Sequence, residues 1–241
     1  MVDFEYKEHY DVNDYRRIIH LLRSEGGCPW DREQTHESIR RNLLEEACEV
    51  CEAIDEKDPE HLREELGDLL MQVLFHADME ADAGRFDLDD VADTACKKLI
   101  LRHPHVFGDV QVSSSAEVLE NWDDIKRREK NQSSASDAMD GVARTLPALW
   151  RAEKIRSKAL KAGLDRQDAD GAVELLREEI DELEDAICRS EDAQASIGDA
   201  LFALVRVASC AGVDPEAALH GACERVIQSC RSMETAAQSG K

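Results

Sequence analysis

The chain has 241 residues, 34% charged and 42% hydrophobic, enough for one or two domains with real cores and too apolar for a disordered chain. Acids outnumber bases 53 to 30, and the formal charge of −23 repels a phosphate backbone or an anionic bilayer from most of the surface. No run reaches the roughly 18 unbroken apolar residues of a membrane helix, so neither nucleic acid nor membrane is an expected partner.

The N-terminal stretch MVDFEYKEHYDVNDY is acidic and carries no apolar signal core, which implies no export. Eight cysteines are too sparse in a chain this long for a disulfide framework. A reduced, cytoplasmic protein is the expectation, with Cys48-x-x-Cys51 and Cys223/Cys230 read as core packing rather than as zinc ligands. Apolar residues first recur at helical steps at Leu43, Ala47, Val50 and Ile54. Asp58-Pro59 ends that helix and starts the next, since proline fits a first helical turn; its stripe runs Leu62, Leu66, Leu69, Val73, widened by Leu70, Leu74 and Ala77. Gly84 stops it, and Asp87 or Asp89 caps a helix carrying Val91, Ala95 and Leu99. A polar loop over Asp109–Ser115 leads to a helix at Ala116–Lys130 and then to a Ser-rich linker at 131–140. Glycine and proline are scarce and no β-branched alternation occurs, so the class is all-α.

The chain also repeats itself. Leu44-Glu-Glu-Ala-Cys-Glu49 matches Arg177-Glu-Glu-Ile-Asp-Glu182 at an offset of 133, and Leu66-Gly-Asp-Leu-Leu70 matches Ile197-Gly-Asp-Ala-Leu201 at 131. The period is too long for a solenoid, which leaves tandem helical-bundle domains: residues 1–130, the linker 131–140, and a second copy at 141–241.

Glu46 and Glu49 stand three residues apart on one helix, roughly 60° apart around its axis, and Glu65 and Asp68 have the same spacing on the next. A short turn makes the two helices antiparallel, so both pairs meet at one partly buried seam. Four converging carboxylates repel one another and lose hydration unless a cation compensates. Oxygen-seeking divalent ions answer that need, and two Mg²⁺ match four negative charges. Ordinary solvated helix charges, paired with Arg41, Arg63 or Lys57, are the competing reading.

Glu45-Glu46-x-x-Glu49, fifteen intervening residues, then Glu65-x-x-Asp68 resembles the signature of the MazG-type nucleoside triphosphate pyrophosphohydrolases. The strings Gly27-Cys-Pro-Trp-Asp31, Gly84-Arg-Phe86, Arg102-His-Pro-His-Val-Phe107 and Trp122-x-x-x-Lys126 extend the likeness to its tandem-domain bacterial members. The resemblance implies an all-α homodimer or larger homo-oligomer that cleaves nucleoside triphosphates between the α and β phosphates, with Mg²⁺ as cofactor and Mn²⁺ as a substitute. It implies Glu46, Glu49, Glu65 and Asp68 as metal ligands. Glu45, about 100° away, is given a water-orienting role beside them. Lys98 and Arg102 match the family's phosphate-contacting pair, Trp122 and Lys126 its base- and phosphate-facing element, and Trp30 borders the nucleobase pocket or anchors a loop.

The second copy departs from this pattern. Glu179, Glu182 and Asp199 are kept, but Ser196 replaces the fourth carboxylate, Ser229 replaces one cation of the basic pair, and no W-x-x-x-K element follows. The first copy is therefore expected to be active and the second to scaffold or dimerise. Narrower specificity (deoxyuridine triphosphate or phosphoribosyl-ATP), a silent dimerisation or regulatory module, and an acidic nucleic-acid mimic remain the alternatives.

Overall fold

The computed structural model describes residues 2–129 and 134–239, and among them it has twelve helices and no strand. The chain divides into two compact units, Met1–Val118 and Leu119–Lys241. No single helix of the described residues is long and apolar enough to cross a membrane.

The first unit opens with a helix that the sequence reading did not anticipate, α1 (Val12–Arg23). Asp11 caps it, accepting from the Asn13 and Asp14 amides while the Asp14 side chain accepts from the Asp11 amide. A tight turn follows, in which the Cys28 amide donates to the Leu22 carbonyl. A Cβ on Gly27 would lie 2.3 Å from the Leu21 carbonyl oxygen, so only glycine fits there. The turn leads into the short α2 (Pro29–Glu33) and then α3 (Arg40–Glu56). Lys57, at φ 59°, closes α3 in the left-handed conformation. Asp58 caps α4 (Pro59–Asp82), accepting from the Glu60 and His61 amides, with Pro59 in the first turn. Two residues between helices force an antiparallel hairpin, and α3 packs along α4 as the spacing requires.

The core of this unit is Ile19, Ile39, Leu74, Phe75 and Met79, with Tyr15, Leu22, Leu70, Met71 and Leu88 against it, so α1 lies on the second half of α4. Arg23 secures that packing, pairing with Asp78 at 2.8 Å and Asp82 at 3.0 Å. The α2–α3 loop is fixed by His36, whose Nδ1 lies 2.6 Å from His76 Nδ1 and whose Nε2 lies 2.6 Å from Glu80 Oε1. Arg85 completes the cluster from the other side of Glu80, at 2.5 Å. Gly84, at φ 67°, turns the chain out of α4. Asp87, rather than Asp89, caps α5 (Leu88–Arg102), with Asp90 completing the box. A single turn, α6 (Pro104–Phe107), follows before α7 (Ser115–Glu129).

Residues 130–133, where the linker was expected to begin, lie outside the described residues, as does the Lys130 end of the expected helix. The rest of the expected linker is ordered helix. Ser134 caps α8 (Ala135–Asp140) in a box with Asp137, because a Ser-x-x-Asp string starts a helix as readily as it fills a loop. The second unit continues with α9 (Ala148–Lys161), α10 (Ala169–Cys188), α11 (Gln194–Cys210) and α12 (Pro215–Ser239), and α10 packs along α11 as α3 does along α4. Arg156 of α9 is buried against α11, reaching Ser209 at 2.5 Å and Asp165 at 3.1 Å. Arg206 also pairs with Asp165. Arg23 and Arg156 stand 133 residues apart, and Asp78 and Ser209 131, so the repeat extends back to α1 and α9.

The cysteine expectation needs correction. Cys48, Cys51, Cys223 and Cys230 are exposed, not core. All four lie on helix faces that their own unit leaves open. Ile54, Leu66 and Val73, parts of the two sequence stripes, are exposed as well. The apolar band on α3 and α4 is wider than one unit covers.

Candidate active site

The α3–α4 seam brings together the acidic residues that the three-residue spacing aimed there. One carboxylate oxygen from each of Glu46, Glu49 and Glu65 lies within 4.8 Å of the others, with Glu46 and Glu65 half-buried and Glu49 exposed. Asp68, half-buried one turn beyond Glu65, is close enough for its charge to act on Glu46. The predicted quartet is thus a tight trio with a fourth carboxylate beside it. Burial first, then the charges of Asp68, Glu49 and Glu65, push the Glu46 carboxyl above its ordinary range.

Among the described residues no lysine or arginine pairs with these four. Arg41 takes Glu45 at 2.7 Å and Arg63 takes Glu60, both out on the helix surfaces. Arg41, Arg63 and Lys57, the partners named by the competing reading, thus do not pair with these four among the described residues. Among the described residues the one basic side chain at the trio is His61, which bridges Glu65 at 3.2 Å and Glu56 at 2.9 Å and is held protonated to higher pH, by Glu56 above all. A partly buried, oxygen-only donor set with excess negative charge suits a hard divalent cation. A second acidic group, His20, Asp78 and Asp82, is equally close but already holds the Arg23 guanidinium, so its charge is answered from within. Glu45 points away from the seam with Arg41, as a 100° turn dictates.

The remaining sequence candidates lie apart from the carboxylates. Lys98 is exposed and Arg102 half-buried, one turn apart on α5; the hydrogen bonds and ion pairs described do not join them to the trio. Trp30 on α2 is 59% exposed, its carbonyl accepting from Gln34. Trp122 and Lys126 fall on α7, past the boundary between the units.

Two residues at the seam were missed. Tyr15 donates its hydroxyl to the Gly67 carbonyl at 3.2 Å. Burial, then Asp68 and Glu46, raise its phenol above the usual range, which places it next to the carboxylates. Gln72 turns its amide towards Glu46, Nε2 to Oε1 at 3.5 Å. A polar residue inside the apolar run Leu69–Ala77 was the available signal for Gln72. Tyr15 gave none, because its helix had not been recognised.

The second copy has the frame without the trio. Glu179 is raised by burial, then by Glu182 and Asp199, so those three still sense one another. No set of three ligand atoms within 4.8 Å forms between α10 and α11 among the described residues. Ser196 stands half-buried at the Glu65 position and Asp199 is exposed.

Residues 34–107 match the MazG nucleotide pyrophosphohydrolase domain, a span that contains the four carboxylates, Lys98 and Arg102. The chain is 42% identical over 217 residues to the nucleoside triphosphate pyrophosphohydrolase/pyrophosphatase MazG of Thermotoga maritima, covering 90% of this chain and 83% of that one. It is 42% identical over 231 residues to the nucleoside triphosphate pyrophosphohydrolase of Escherichia coli K12, covering 92% and 88%. It is also 45% identical over 214 residues to the uncharacterized protein YabN of Bacillus subtilis, covering 88% of this chain and 44% of that longer one.

Proposed function

The chain belongs to the MazG family of nucleotide pyrophosphohydrolases and is a hydrolase of nucleoside triphosphates; we propose that it turns over at the α3–α4 seam of the first unit, cleaving between the α and β phosphates. Water adds its oxygen to the α phosphorus, the bond from that phosphorus to the bridging oxygen breaks, and pyrophosphate leaves with the bridging oxygen. The nucleoside monophosphate is the other product. The observation that carries the placement is the clustering of Glu46, Glu49 and Glu65 oxygens within 4.8 Å, with no lysine or arginine among the described residues paired to them.

In this reading Glu46, Glu49, Glu65 and Asp68 hold Mg²⁺, with Mn²⁺ as a substitute. When bound, the metal supplies charge for the phosphate oxygens and a more acidic water. The chain's own work is to fix the ligand oxygens on two rigid helices and to keep the seam short of competing cations. Lys98 and Arg102, one turn apart on α5, offer charge to the departing pyrophosphate. Trp30 offers an exposed ring to the base, and for Trp122 and Lys126 on α7 the family resemblance alone supports a base- and phosphate-facing role. Glu45 has no role in this scheme, since it is tied to Arg41 on the outer face.

The open apolar residues support assembly into a homodimer or larger homo-oligomer. Leu66 and Val73 of α4, Leu99 and Leu101 of α5, and Val106 and Phe107 of α6 are all exposed, apolar side chains that a second copy could cover. The eight unpaired cysteines fit a reducing cytoplasm.

The test is pyrophosphate release from the common ribo- and deoxyribonucleoside triphosphates, with and without Mg²⁺. Release that needs the metal is expected from several of them. Release from one nucleotide alone would narrow the specificity, and none from any would favour a silent regulatory module.

A further inference from the structure

Gln72 lies one turn beyond Asp68 on α4, among Leu69, Leu74 and Phe75, where the packing calls for an apolar side chain. It is only 4% exposed. Its amide nitrogen faces Glu46 at 3.5 Å, while its Oε1 is fully buried without a hydrogen-bond partner among the described residues. A leucine or alanine there would avoid the unpaired carbonyl, so stability alone does not explain a glutamine. The second copy makes that choice: 131 residues on, Ala203 takes the place and is 2% exposed. The same copy has lost the Glu65 carboxylate to Ser196. The buried amide is therefore present where the carboxylates converge and absent where they do not.

Resting on the reading of the α3–α4 seam as the working site, we propose that Gln72 is a positioning residue that holds the Glu46 carboxylate inward for a divalent cation. Glu46 faces the like charges of Asp68, Glu49 and Glu65, which drive it towards solvent. Among the described residues, the N–H edge of the Gln72 amide is the hydrogen-bond donor that reaches Glu46 from the core side. Outer partners of this kind fix the orientation of a metal ligand and leave the ligand count unchanged.

The experiment compares wild type with Gln72→Met, of nearly equal volume, and Gln72→Leu, by Mn²⁺ titration calorimetry and by thermal unfolding without metal. Both variants are expected to unfold at or above the wild-type temperature, because the unpaired carbonyl is gone, and to bind Mn²⁺ about tenfold more weakly. In a Glu46→Gln background, Gln72→Met is expected to add no further loss, because its effect passes through Glu46. Wild-type Mn²⁺ affinity in both variants would overturn the proposal. So would additive losses with Glu46→Gln, or a fall in unfolding temperature that accompanies the lost affinity in both, which would assign Gln72 to packing. Failure of the wild type itself to take up Mn²⁺ would instead sink the site reading.

Discussion

The hairpin α3–α4 and the hairpin α10–α11 share an apolar frame and differ in what they place on it. Ala53 and Ala186 are buried at matching positions, as are Leu74 and Val205. An arginine on α1 or α9 crosses onto the second helix of the hairpin in both, Arg23 to Asp78 on α4 and Arg156 to Ser209 on α11. The functional positions diverge instead: Glu65 against Ser196, Gln72 against Ala203 and, at the 133 offset, Tyr15 against Ala148. Apolar burial specifies the hairpin, and the full set of four carboxylates is an added burden that the second copy, with Ser196, carries only in part.

The sharpest way to break this contrast is to remove one carboxylate from each half. Glu65→Ala or Asp68→Ala is expected to reduce pyrophosphate release by about 10³-fold, several kcal/mol of charge stabilisation at 1.36 kcal/mol per decade. Asp199→Ala should leave turnover near wild type, and steady-state assays of the three variants decide between the halves.

Stability offers the next test, because the units lock differently. The second depends on the buried Arg156, so Arg156→Ala should cost about 1–3 kcal/mol by leaving Ser209 and Gln167 without their donor, while Arg206 still holds Asp165. In the first, Leu74→Ala should cost about 2–5 kcal/mol by opening its apolar core. Urea unfolding followed by probes in each unit reads the two losses separately.

Acid sharpens the comparison further. Arg85, and after it His36, hold the Glu80 carboxyl down to about 2 from an ordinary 4.5. A depressed carboxylate stabilises the fold above its unfolded pKa, and the contribution disappears as pH falls from 4.5 towards about 2. Glu80→Gln should therefore lower the melting temperature at pH 7, with the gap to wild type closing across that acid window. Asp165 behaves with the same sign in the second unit: burial pushes it up, but Arg206, the Arg166 amide and then Arg156 together outweigh burial and hold it low. Its loss in acid should survive Glu80→Gln unchanged. The smallest effect is a gain. Ser196→Glu in a Glu65→Ala background should restore weak Mn²⁺ binding, measurable by calorimetry, with little or no turnover.

Much of this was legible in the chain before any coordinates. The recurrence of apolar residues from Leu43 to Ala77 and the Asp58-Pro59 junction place α3 and α4 to within a few residues, and two i, i+3 acid pairs on an antiparallel hairpin have to share a seam. What the sequence hid was long-range. Tyr15, Ile19 and Leu22 have helical spacing, but the acidic segment around them masked α1, and with it Tyr15's place beside Asp68. The contact of His36 with His76 spans forty residues and depends on how the α2–α3 loop folds. Exposure misled too. Cys48 and Cys51 read as core because cysteine is usually buried, yet they lie on a face that one unit leaves open.

The most direct test is a crystal structure with Mn²⁺ and a nucleoside triphosphate analogue blocked at its α–β bridge, read through the anomalous scattering of manganese. The account predicts manganese between Glu46, Glu49 and Glu65 against the triphosphate, and none between α10 and α11. Manganese on Glu179 and Asp199, or a triphosphate bound away from the α3–α4 seam, would contradict it.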